Sequence, residues 1–197
     1  MIKLDRNYWD TRHRNEDTPW KLGEISPPLK NYFDQLTDKS IRILIPGAGH
    51  AFEAKYLAQT GFNNITICDI STIAIEILKN ELTEFKTIKY LEGDFLEING
   101  QFDLIVEQTF FCALDPSYRE AYVEKMYQLL KEKGTLVGLL FGSYFDKPGP
   151  PFGGDIKEYN SLLSKKLHIH QLQMCYNSIT QRQGNELFII CKKHKQL

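Results

Sequence analysis

Residues 41–71 read IRILIPGAGHAFEAKYLAQTGFNNITICDIS, and this stretch decides the fold. Residues 41–46 are a short apolar run that stops at Gly47. Residues 50–60 then set Phe52, Tyr56 and Leu57 at helical spacing, and Gly61 ends them. Residues 64–70 are a second β-rich run. Ser71 follows as the cap of a helix through about Leu82, with Ile73, Ile77 and Leu78 on one face. Strand, tight turn, helix, strand and helix form the opening unit of a parallel α/β sheet.

The turn itself, Pro46-Gly47-Ala48-Gly49-His50, carries the first chemical signal. Two glycines let the backbone turn sharply and approach a ligand closely, although an ordinary β-to-α connection uses the same device. Asp69 ends the second strand 22 residues after Gly47. A carboxylate there can accept both hydroxyls of a ribose; otherwise it competes with Ser71 to cap the next helix. A dinucleotide site usually has a third glycine where the helix start faces a pyrophosphate. Here Phe52 stands at that place and blocks the approach. S-adenosylmethionine has no phosphate, so the pattern favours it over a nicotinamide dinucleotide.

Outward from this unit, strand and helix keep alternating. Residues 87–91, 102–107 and 134–142 read as strands, the last almost wholly apolar and so interior. Pro116 opens a helix through Lys131, with Tyr122, Met126, Leu129 and Leu130 inward. A Gly/Pro-rich loop covers 143–155 and a short helix follows from Asp155 to Ser164. Residues 166–178 and 185–195 then form an antiparallel pair joined through 180–184. Five β-α repeats followed by such a hairpin are the order of a class I S-adenosylmethionine-dependent methyltransferase. The expected fold class is therefore α/β, Rossmann-like, with seven strands, mostly parallel, and an antiparallel C-terminal hairpin. One domain is expected over 1–197: a helical lid at 1–38, with both tryptophans and Pro27-Pro28, and a core at 39–197.

Composition bounds the rest. The 197 residues are 42% hydrophobic and 25% charged, as in an ordinary globular protein. Twenty-four basic against 25 acidic residues give a net charge of −1, which argues against a nucleic-acid partner. No apolar stretch approaches the ~20 residues of a membrane helix, and residues 1–17 lack the apolar core of a signal peptide. Cys68, Cys112, Cys175 and Cys191 lie far apart, as reduced thiols of a cytoplasmic protein. His168 and His170 alternate along a strand without a third ligand, so no metal is expected. The expected partner is a small-molecule acceptor, and the chain is expected to be a monomer.

Two further turns carry candidate chemistry. Gly93-Asp94-Phe95 follows the third strand, where Asp94 can accept the exocyclic amine proton of an adenine and Phe95 can flank the ring. Asp94 also fits a plain turn residue. Residues 107–112, EQTFFC, lie at the carboxyl end of the fourth strand, the ligand edge of open α/β sheets. Their apolar and soft character suggests an apolar acceptor site, or else a loop packed under the lid. No Asn/Asp-Pro-Pro-Tyr/Phe run, which would hold a planar nitrogen, follows that strand.

Taken together, Tyr8-Trp9-Asp10, Thr18-Pro19-Trp20 with Gly23, and Ser26-Pro27 resemble the N-terminal segment of the thiopurine S-methyltransferase-like family. The plant thiol and halide methyltransferases of that family are most alike. The P-G-x-G turn, Asp69-Ile70-Ser71, Gly93-Asp94-Phe95, the loop from Phe110 to Arg119 and Gly149-Pro150-Pro151-Phe152 follow in the same order. The resemblance covers about residues 8 to 160. It implies that Trp9 and Trp20 belong to a lid over the cofactor and that Gly47 and Gly49 face its methionine part. Asp69 with Ile70 would hold the ribose, Asp94 and Phe95 the adenine, and Glu107 would lie near the methionine amine. Gln108 stands where many relatives have Tyr or Arg.

The implied reaction is an in-line displacement at the sulfonium methyl by a small soft nucleophile: thiol, sulfide, halide or thiopurine. Phe110, Phe111, Tyr144 and Phe152 are the expected low-polarity walls. Arg119 is expected to attract and place the anion, or alternatively to pair with Asp115 or Glu120. A non-catalytic S-adenosylmethionine-binding module would keep Gly47, Gly49 and Asp69 without needing the tryptophans or the 110–119 loop. An enzyme with another small-molecule acceptor is the remaining alternative.

Overall fold

In the computed structural model, which describes residues 2–193, β1 (Ile43–Pro46) pairs in parallel with two strands. They are β2 (Ile65–Asp69) on one side and β4 (Phe102–Gln108) on the other. β3 (Lys89–Glu92) lies parallel to β2 at the edge, and β5 (Leu130–Phe141) lies parallel to β4. β7 (Glu186–Lys193) runs antiparallel to β5, and β6 (Leu167–Met174) antiparallel to β7. The order is β3-β2-β1-β4-β5-β7-β6. The chain runs outward from β1 to β3 and then returns to lay β4 on the other side of β1. That reversal opens a crevice outside the carboxyl ends of β1 and β4, where open α/β sheets bind ligands.

β1 and β2 are buried along their whole length, which explains their unbroken apolar runs. Alternation still sorts their side chains between two cores. Ile43 and Ile45 pack with Leu29 and Phe33 of α2 (Pro27–Phe33), Leu57 of α3 (Phe52–Gln59) and Ile75 and Leu78 of α4 (Thr72–Glu81). Leu44 faces the opposite core, with Tyr122 and Met126 of α5 (Arg119–Leu129) and Tyr159 of α6 (Ile156–Leu163).

Several expectations change here. No helix joins β3 to β4: Asp94 accepts from the Leu96 N–H at 2.9 Å and holds a compact turn instead. The repeat pattern is therefore one helix short. The helix expected from Pro116 begins as a 3-10 turn over Pro116–Tyr118 and ends at Leu129. β5 starts at once with Leu130, earlier than residue 134. His194 and Lys195, expected in the last strand, lie outside the described residues.

The first forty residues divide in two. α2 is part of the core, since Leu29 and Phe33 are buried there. α1 (Arg6–Arg14) instead crosses the mouth of the crevice, pinned to the sheet's helical layer. Its Asp10 accepts from the Ser71 hydroxyl at 2.6 Å and the Ile73 N–H at 3.2 Å. Arg6 reaches Glu92 at 2.7 Å. Of the segment expected as a lid, α1 and the turn after it are the part that lies over the crevice.

All four cysteines are free and buried. A register shift between Ile169 and Gln171 interrupts the strand that bears His168 and His170. Among the described residues no group of three His, Cys, Asp or Glu side chains could hold a metal ion. No described helix is long and apolar enough to cross a membrane.

Candidate active site

A cavity of about 960 Å³ fills the crevice, roofed by α1 and floored by the turns after β1, β2, β3 and β4. Ligand pockets run ~300–1,000 Å³, so it can hold a cofactor together with a small acceptor. A second space of about 430 Å³, between Ile2, Leu4 and residues 148–152, adjoins it.

The glycine turn is built for close approach. Gly47 and Gly49 hold φ of 55° and 53°, the left-handed region that side chains resist. A Cβ on Gly47 would lie 2.0 Å from the Phe110 ring, and one on Gly49 would lie 3.3 Å from the Trp20 indole nitrogen. Asp69 meets this turn from β2. Its Oδ2 accepts from the Gly49 N–H at 2.9 Å and its Oδ1 from the Ser71 N–H at 2.8 Å. Ser71 caps α4 through the Ala74 N–H, so Asp69 is not the cap. Each Asp69 oxygen keeps a second lone pair, and the residue lies on the cavity wall. Burial raises its pKa, against the pull of the two N–H groups. Ile70, Asp94 and Phe95 line the same end of the cavity.

Trp9 and Trp20 meet edge to face at 5.6 Å under α1, and both line the cavity. These walls supply what an adenosyl cofactor needs: a carboxylate for the ribose, bare backbone beside the tail, and aromatic cover. The residues present therefore fit S-adenosylmethionine.

The loop after β4 divides between wall and support. Thr109 adopts φ 61°, a strained value for a β-branched residue. This bend sends Phe110 over Gly47, onto the wall, where its ring meets Phe95 at 4.8 Å. Glu107 and Phe111 do not reach the wall, contrary to expectation. Glu107 is fully buried and accepts from the Phe110 and Phe111 N–H groups at 2.8 and 3.0 Å and from the Tyr122 hydroxyl at 2.8 Å. Burial lifts its pKa to about 7, partly opposed by these donors. Its role is to shape the turn that carries Phe110. Phe111 packs beneath, against Tyr122 and Tyr159.

Arg119 also departs from the expectation that it faces the cleft. It is 7% exposed, off the cavity wall. Its Nη1 pairs with Glu158 and its Nη2 donates to the Gly153 carbonyl at 2.8 Å. The guanidinium lies 5.1 Å from the Phe111 ring centre and 5.6 Å from that of Tyr159. Neither Asp115, which binds Ser117, nor Glu120, which pairs with Lys165, is its partner. The reason is helical phase: Arg119 lies three residues before Tyr122, on the buried stripe of α5.

Of the expected acceptor walls, Tyr144 points away to Glu158 and Phe152 lines only the smaller space. Phe141, Phe145, Leu114, Pro150 and Pro151 take their place beside Phe110. Among the polar wall residues that were not expected are Arg12 and His13 of α1, and Arg182 from the β6–β7 connection. Arg182 pairs with buried Glu186 at 3.1 Å and donates to the Trp20 carbonyl at 3.3 Å, 162 residues away. No local pattern signals such a contact. The Gln108 amide has both polar atoms buried with no protein partner.

Comparison with known proteins agrees with this geometry. The family model described as thiopurine S-methyltransferase matches residues 4–195. A probable thiol methyltransferase 2 of Arabidopsis thaliana is 31% identical over 160 residues, covering 79% of this chain and 70% of that protein. A thiopurine S-methyltransferase of Acinetobacter baylyi is 24% identical over 208 residues, covering 92% and 94%. Among solved structures, the 1,6-didemethyltoxoflavin-N1-methyltransferase of Burkholderia thailandensis, with S-adenosylhomocysteine bound, superposes with a TM-score of 0.76. It is 16% identical and covers 96% of this chain and 87% of its own, a likeness of fold. With a cavity at the switch point whose lining fits an adenosyl cofactor, and a family match over nearly its whole length, the chain belongs to the thiopurine S-methyltransferase family and is an S-adenosylmethionine-dependent methyltransferase.

Proposed function

We propose that this enzyme methylates a small soft nucleophile: a thiol, sulfide, halide or thiopurine. The observation that carries the reading is the apolar part of the cavity lining, Phe110, Phe141, Phe145, Leu114, Pro150 and Pro151, of which Phe110 packs on Gly47 of the glycine turn. When bound, the cofactor supplies an already activated methyl group. Asp69 with Ile70 would hold the ribose, and Asp94 and Phe95 would flank the adenine. Gly47 and Gly49 admit the tail, and Trp9 and Trp20 cover it.

The protein then acts by alignment and exclusion of water. A nucleophilic anion and a sulfonium cancel charge as they react, so apolar walls favour the transition state over the separated ions. Phe110 is the wall residue that joins the cofactor end to the acceptor end. Phe111, Glu107 and Arg119 hold the loop that carries it.

The test is release of S-adenosylhomocysteine across a panel of thiols, sulfide, halides, thiopurines, alcohols and amines. Turnover concentrated on sulfur and halide acceptors supports the reading. Preference for an alcohol or amine, or cofactor binding without turnover of any acceptor, refutes it. The same reading makes the chain one monomeric cytoplasmic domain, and sedimentation at assay concentration checks its oligomeric state.

A further inference from the structure

With Glu107 sealed behind the loop, the amino-acid end of the cofactor needs another polar partner on the wall. His13 is placed for it. It is 6% exposed, on α1, and lines the cavity. Its ring lies 5.6 Å from Trp20, whose indole nitrogen sits over Gly49, and 5.7 Å from His50 of the same glycine turn. Nδ1 is buried without a partner, which leaves Nε2 as the ring nitrogen available to the cavity that His13 lines.

We propose that His13 binds the α-ammonium group of S-adenosylmethionine through Nε2. The inference deepens the reading of the cavity as an adenosylmethionine site. For Nε2 to accept, the ring proton must sit on Nδ1, packed among the rings of Trp20 and His50. Burial keeps the ring neutral by lowering the pKa of His13, with Asp10 opposing and Arg12 assisting. His50, facing it from the turn after β1, is lowered by burial as well. A neutral imidazole accepts from an ammonium, whereas a protonated one repels both the ammonium and the sulfonium. Arg12 and Arg182, on the same wall, suit the carboxylate.

The experiment is calorimetry at pH 7.5 on the full chain with three probes. They are S-adenosylhomocysteine, its desamino analogue and 5′-methylthioadenosine, which lacks the amino-acid tail. His13→Leu should weaken S-adenosylhomocysteine about 5–30-fold, the scale of one hydrogen bond to a charged group. Binding of the other two probes should stay within about twofold of wild type on that same scale. His13→Asn, which keeps an acceptor, should recover part of the loss, a response that mere repacking would not give. The wild-type advantage over His13→Leu should persist through the ordinary histidine value near 6.5 and shrink only at lower pH, because burial holds the ring neutral. An equal loss for the desamino analogue, or no loss at all, overturns the assignment. Failure of the wild type to bind S-adenosylhomocysteine overturns the cavity reading beneath it.

Discussion

Replacing Arg119 by alanine separates a structural arginine from an anion-placing one. The guanidinium donates to the Gly153 carbonyl at 2.8 Å in a buried setting. A hydrogen bond from a charged group contributes about 1.5–3 kcal/mol. The ion pair adds less than a fully buried one. The Glu158 side chain is 36% exposed and keeps the Tyr144 hydroxyl at 3.0 Å, so its loss costs about 1 kcal/mol. Contacts with the Phe111 and Tyr159 rings add about 0.5–1 kcal/mol each. These contributions share one group and do not sum independently; about 3 kcal/mol is the working figure. For a chain of this size that lowers Tm by about 6–12 °C. Affinity for S-adenosylhomocysteine should stay within about twofold, because Arg119 does not reach the cavity wall. Thermal melting and calorimetry on Arg119→Ala read both quantities. An unchanged Tm with kcat/KM for the acceptor down ~10–100-fold, the loss of a transition-state contact, would refute the structural role and restore the arginine to the cleft.

Asp69→Ala should weaken S-adenosylhomocysteine by ~1.5–3 kcal/mol, since it removes a carboxylate from the ribose end; unchanged affinity by calorimetry removes Asp69 from the site. Glu53 is fully buried on α3, and burial raises its carboxyl from an ordinary 4.5 to about 7. A raised carboxylate pKa gives stability below the unfolded value that is lost as pH rises through the folded one. Glu53→Gln, which keeps an acceptor, should therefore exceed wild type by about 3 kcal/mol at pH 8, and the gap should close by about pH 4.5. Urea melts across pH check this, and a gap independent of pH defeats it. Hydrogen exchange in residues 8–25 should slow, and tryptophan fluorescence change, on adding S-adenosylhomocysteine; equally slow exchange without ligand makes α1 a fixed wall.

Periodicity and turn chemistry made the left half of the sheet legible, because β1 and β2 are buried apolar runs with Gly47, Gly61 and Ser71 at their ends. The start of β5 was hidden, because Lys131, Glu132 and Lys133 read as helix end and turn. They bulge from the ladder, with Lys133 at φ 63°, between Leu130, which pairs with Phe102, and Thr135, which pairs with Leu104. Asp69 and the glycines could be placed because local backbone geometry fixes them, whereas the tryptophans were placed by resemblance. Arg119 was misplaced although the signal was present, since its spacing to Tyr122 and Met126 puts it on the inward stripe. His13 and Arg182 were silent, because they join the wall through contacts made only after α1 and the β6–β7 connection have closed over the crevice.

The position of β7 has a consequence for how the site comes into being. β7 is later in sequence than every other strand, yet it sits between β5 and β6. Until it emerges from the ribosome, β5 presents an unpaired edge along the register from Thr135 to Phe141, and β6 has no sheet to join. Arg182 and Glu186, which tie Trp20 to the floor, arrive with it. A nascent chain therefore carries β1 to β5 with an open edge and a roof that lacks the Arg182 tie to Trp20. Such long-range closure slows folding and exposes the growing sheet to other chains. The tie from Glu186 through Arg182 to Trp20 is complete only once β7 has inserted between its two neighbours.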